Sequence, residues 1–152
     1  MKARHAIFVA LIWLVAGCRG SRYAEKIDES SDDFQIETAV YGYLLQRHFW
    51  DDHDYSAIFL KGSDVEVAAV RRAFPDHAPP IKPSYRVDIH PNRIPLDQDT
   101  GRPAMILSVD ATEPKDDRAE ALGSWYAGGL VSGHYTFSLK KANGRWIIEN
   151  VR

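Results

Sequence analysis

A single cysteine, Cys18, stands among 152 residues. An internal disulfide is thereby excluded, so the fold has to rest on its hydrophobic core. The sequence also lacks an excess of basic charge, with 19 Lys and Arg against 21 Asp and Glu. Nucleic-acid binding needs a clustered basic face that releases counterions from phosphates, so that partner is not expected. Long apolar runs are missing too. The longest, Ala6 to Ala16, is shorter than the roughly 20 residues that a membrane-spanning helix needs. There is no Gly-x-Ser-x-Gly elbow, no P-loop and no Cys-x-x-Cys pair. Nucleophilic, nucleotide-dependent and redox chemistries therefore have no support in the sequence, and no cofactor is expected. What is present, 45% hydrophobic and 26% charged residues, suits one folded domain rather than a disordered chain.

Residues 1–17 have the composition of an export leader. Lys2 and Arg4 give a positive start, the apolar stretch follows, and Ala16 and Gly17 are small. Val15-Ala16-Gly17-Cys18 resembles the lipobox of bacterial lipoproteins. The resemblance implies cleavage before Cys18 and attachment of a diacylglyceryl group to its sulfur. Stable membrane attachment takes at least two acyl chains, which such a cysteine would carry. Arg19 follows, instead of the Asp that in many Gram-negative bacteria marks retention at the inner membrane. The expected location is thus the cell envelope, lipid-anchored and facing the periplasm, with the outer membrane preferred. Without Lys2 and Arg4 the basic count falls to 17 against 21 acidic residues.

Residues 18–33 hold the cysteine and a polar stretch without periodicity, which reads as a tether. Asp32 and Gln35 have the spacing of a capping box, Asp or Ser at the start would satisfy the orphan amides, and Ile36, Val40, Tyr43 and Leu44 recur at helical intervals. A helix is expected from about Phe34 to Phe49. "YSAIFL", residues 55–60, reads as a strand, and Ser63 with Glu66 caps a second helix that Pro75 ends. "PDHAPPIKP" is expected to be a loop because its prolines remove donors. From Ser84 the periodicity changes to two, giving candidate strands at 84–90, 104–112, 120–131, 134–141 and 145–151 in an antiparallel meander. Asn143-Gly144 is the better hairpin signal. Gly128-Gly129 falls inside a long apolar strand, where it predicts a bulge or a sharp bend.

This order predicts an α+β fold with the N-terminal helices packed in a strongly curved antiparallel sheet. Residues 34–152, closing in "YTFSLKKANGRWIIENV", resemble the NTF2-like, or cystatin-like, group of small domains. That resemblance implies a cone with an apolar mouth, which members use for catalysis, ligand binding or dimerisation.

Several clusters are candidates for chemistry. His48 with Asp51, Asp52, His53 and Asp54 offers nitrogen and oxygen donors, but the spacing matches no metal motif and a solvated helix end is the expectation. "DQDTG", residues 97–101, begins like a calcium loop and then departs from it at Gly101, Arg102 and Ser108, so a plain turn and no metal are expected. His134 and Asp110 suit acid-base work, yet alternation places them opposite the apolar faces of their strands. Tyr41 and Tyr43 could donate to a ligand carbonyl. Tyr43, Trp125 and Tyr135 are the candidate lining of an apolar ligand site. The sequence thus favours a non-catalytic envelope lipoprotein that binds a protein partner, a second copy of itself or a small apolar ligand. The alternative is a small isomerase or dehydratase working in a cone-shaped pocket.

Overall fold

The structure, a computed structural model, describes residues 27–47, 55–91 and 93–152. The leader, Cys18 and the cluster at 48–54 lie outside the described residues.

Helix α1 (Asp32–Gln46) begins earlier than its apolar periodicity suggests. Ser31 is its N-cap and accepts a hydrogen bond from the Phe34 amide at 3.3 Å. The expected Asp32 and Gln35 box does not form. Asp32 is drawn instead to Lys141 Nζ at 2.5 Å and Trp146 Nε1 at 2.9 Å, while Gln35 donates to the Ser30 carbonyl. One face of α1 buries Ile36, Val40, Tyr41, Leu44 and Leu45. Strand β1 (Ala57–Leu60) is buried at every position. Helix α2 (Asp64–Ala73) carries the expected box, with the Ser63 hydroxyl accepting from the Glu66 amide and the Glu66 carboxylate from the Ser63 amide.

The proline segment is only partly a loop. Ile81–Pro83 forms β2, which runs parallel to β1, and Ile58 N donates to the Pro80 carbonyl at 2.9 Å. At a sheet edge, donors removed by proline are not missed. The expected strand at 84–90 becomes a 3₁₀ turn at Ser84–Arg86 and the two-residue β3 (Val87–Asp88), which pairs only with β4 (Leu96–Asp97). β5 (Ala104–Ala111), β6 (Arg118–Gly128), β7 (Val131–Ala142) and β8 (Arg145–Val151) then form the expected antiparallel meander.

The main sheet has six strands in the order β2-β1-β5-β6-β7-β8. It is mixed rather than antiparallel throughout, because β1 is parallel to both its neighbours. Helix α2 supplies the crossover that parallel neighbours require. No sheet is strongly curled. The expected bend at Gly128-Gly129 is instead the reversal between β6 and β7, with a register shift just before it. Gly128 is required by crowding: a Cβ there would lie 2.4 Å from the Arg93 carbonyl oxygen. The sheet carries α1 close to β6 at Gly123, where a Cβ would meet the Phe137 ring at 2.7 Å and Val40 at 3.0 Å. The main core lies between the helices and the sheet. On the opposite face a small cluster of Ala57, Phe59, Val87 and Ala104 is covered by the β3 segment.

Candidate functional site

Helix α1 organises everything around which a site could form. Its C-terminal turn presents Tyr43 to β7, and cross-strand pairing sets Trp125 beside Gly133, two positions before Tyr135. The three aromatic residues expected to act together are therefore neighbours. Tyr43 meets Tyr135 edge to face at 6.1 Å and Phe137 at 5.2 Å, and Trp125 stacks on Tyr135 at 5.3 Å. The Arg47 guanidinium lies 5.1 Å and 5.4 Å from the Tyr43 and Tyr135 ring centres, and donates to the Tyr43 hydroxyl at 2.6 Å. Rings that satisfy one another in this way pin the end of α1 to the sheet. Of the three, Tyr43 also lines the larger concavity described next.

That concavity is a groove of about 790 Å³ along the outward side of α1. Thr38, Ala39 and Gly42 form its floor, and Phe74 on one side and Trp146 and Ile148 on the other form its walls. A helix exposed on its outward side normally carries charges there. Between Phe34 and Gln46 the sole charged residue is Glu37, which faces a different cavity. Among the described residues, the Thr38 hydroxyl is a buried side-chain oxygen with no hydrogen-bond partner.

The second cavity, of about 230 Å³, lies between α1, α2 and β5. Glu37, Glu66 and Asp110 meet there beside Val67, Val70 and Val109. Burial raises the Glu37 pKa, and the charges of Glu66, Asp33 and Asp110 add to the rise. Tyr41, 4% exposed, donates its hydroxyl to the Lys61 carbonyl at 3.3 Å. Burial also lifts this hydroxyl far above its ordinary pKa, with Glu37 contributing. Tyr41 thus closes the gap where β1 ends and β5 continues. As alternation predicts, His134 and Asp110 are exposed while Met105, Leu107, Phe137 and Leu139 are buried, although Asp110 still reaches the rim of the small cavity.

A further constellation escaped the sequence. Asp97 in the DQDTG segment is wholly buried and accepts both oxygens' worth of hydrogen bonds from Lys82 Nζ, at 3.0 and 2.9 Å. Lys82 also reaches Asp99 at 2.8 Å, and Ser56, Thr100 and the Asp99 amide complete the set around Asp97. Burial alone would raise the Asp97 pKa. The hydrogen bonds from Lys82, the Asp99 amide and Thr100 outweigh it and hold the carboxyl below its usual range. An ammonium group occupies the position between two carboxylates that a cation takes in a calcium loop. Nothing in the spacing points from residue 97 back to residue 82, so no motif could have found it. Among the described residues, no group of three or more His, Cys, Asp or Glu could hold a metal ion. No family model matches the chain, and neither does any curated protein or solved structure.

Proposed function

We propose that this chain is a cell-envelope lipoprotein, anchored through Cys18 and facing the periplasm, whose α+β domain is a non-catalytic interaction module. Val15-Ala16-Gly17-Cys18, after a charged start and an apolar stretch, supports the anchor. The observation that carries the binding role is the groove along α1, whose helix side is uncharged and whose floor of small residues leaves room for a partner group, with Glu29 and Arg145 at its lining. The NTF2-like resemblance belongs to this proposal and is supported by α1 lying across the meander; the outer membrane is the proposed location. Changing Cys18→Ser should move the protein from the membrane to the soluble periplasmic fraction and abolish incorporation of labelled fatty acid. Unchanged fractionation and labelling would sink the anchor.

A second reading, a small isomerase or dehydratase, draws on the cavity where Glu37 stands among apolar walls with an elevated pKa. Native mass spectrometry of the protein as isolated should then find a retained small molecule that Glu37→Gln releases. A ligand-free spectrum counts against this reading.

A further inference from the structure

We infer that β8 is a homodimer seam, along which a second copy of this chain adds its own β8 antiparallel and extends the sheet across a two-fold axis. The inference deepens the interaction-module reading and rests on it.

The argument begins with the backbone. β8 is the outer strand of the six, and among the described residues it has no strand neighbour beyond it. Ala142 and Arg145 flank the two-residue turn Asn143-Gly144, both of whose residues have positive φ, so this pair exchanges hydrogen bonds across the hairpin. Alternation then directs the amide and carbonyl of Ile147 toward β7 and those of Trp146 and Ile148 outward. Among the described residues, no hydrogen bond from the rest of the chain reaches those outward groups. An exposed row of this kind is a template for another strand.

The side chains specify which strand. Along Arg145-Trp146-Ile147-Ile148-Glu149 the charged ends lie two positions either side of Ile147; β8 carries a register shift at Glu149, opposite Ser138 and Leu139, and the contact with Arg118 keeps the Glu149 carboxylate on the Ile147 face. When a second β8 pairs antiparallel with Ile147 on the two-fold axis, Trp146 of each copy faces Ile148 of the other and exchanges the outward hydrogen bonds. Arg145 then faces Glu149 of the other copy, twice by symmetry, and the two Ile147 side chains meet. Ile147 is 48% exposed and is free to meet its counterpart on the axis. Arg145 makes no ion pair among the described residues, while Glu149 is held on the same face by Arg118 at 3.1 Å. A register shifted by one residue would put like faces out of phase and lose both charge pairs. Trp146 and Ile148 are also walls of the α1 groove, so the pairing brings the uncharged backs of the two α1 helices toward each other over a shared floor.

The test uses the full chain in detergent. Sedimentation equilibrium should find a dimer, and Arg145→Glu or Glu149→Arg alone should raise its dissociation constant about tenfold, since two attractive pairs become repulsive. The double variant should restore it, which a fold defect in either single variant would not allow. Arg118→Ala, which removes the pair within one chain, should leave the dimer intact. Ile147→Cys should form a reducible cross-linked dimer on oxidation that the wild-type chain, with Cys18 alone, does not form. A monomer at every concentration, or a dimer indifferent to both charge reversals, overturns the seam. Because membrane fractionation reads Cys18 and not β8, a monomer that still sediments with membranes removes this inference and leaves the lipoprotein reading standing.

Discussion

Two carboxylates in this molecule are taken out of water in opposite ways. Asp97 is wholly buried and has a lysine ammonium, two hydroxyls and an amide directed at it. Glu37 is half-buried, and the charges that shift it are those of Glu66, Asp33 and Asp110. Deeper burial therefore goes with the lower pKa. The environment's donors, rather than depth alone, decide whether a buried acid stays ionised. The first region is finished as structure; the second keeps an unmet preference for a proton.

The comparison breaks most visibly if the cation is withdrawn. Lys82→Met leaves Asp97 buried without its ammonium and should cost about 3 kcal/mol in urea unfolding. Adding Asp97→Asn to that variant should recover part of the loss, because the uncompensated charge is then gone. Full stability in the single variant would mean that the hydroxyls and the amide suffice. A smaller change concerns a neutral group in the same predicament. Thr38→Val removes the orphaned hydroxyl at nearly constant shape and should raise stability by about 1 kcal/mol.

The smallest effect sharpens the contrast by pH. Glu37 and Asp33 are one helical turn apart, a like-charge spacing, so Glu37→Gln should gain about 0.5 kcal/mol at neutral pH. Its raised pKa gives the wild type stability that is present below the ordinary glutamate range and lost as pH rises through the folded-state value. Asp97 has the reverse sign: its contribution is in place above the ordinary aspartate range and is lost as pH falls through its lowered value. Measured from acid to neutral, the stability difference between Glu37→Gln and wild type should widen as pH rises. A constant difference would show that Glu37 does not titrate differently on folding.

The parts of the fold legible in the sequence are those governed by neighbours in the chain. The Ser63 and Glu66 box needs only its own four residues, and the Asn143-Gly144 turn only two, and both form as read. The facing of β5 and β7 followed from simple alternation, which put Phe137 inside and His134 outside. What failed depends on partners far away. Asp32 could cap a helix locally, but Lys141 and Trp146 compete for it and Ser31 takes over. Four buried residues in β1 look the same for either strand direction, so parallel pairing was invisible. The glycine pair at 128 and 129 suits a bend or a reversal equally, and contact with the Arg93 loop accompanies the reversal. Of the candidate site, Tyr43, Trp125 and Tyr135 lie together as neighbours, whereas the spacing around Glu37 shows only Asp33 on its own helix, and the burial that chiefly raises its pKa and the charges of Glu66 and Asp110 come from elsewhere in the fold.

The clasp on Asp32 bears on how the molecule comes into being. Its two donors lie 109 and 114 positions further along the chain. A helix whose first turn is fastened to the last hairpin cannot be completed while that hairpin is still being synthesised. Contacts of such long range delay folding, since the intervening chain must be gathered before they form. A polypeptide emerging from one end through a ribosome or a membrane pore would stay pliable for most of its passage, and acquire its lasting shape only when nearly all of it is through.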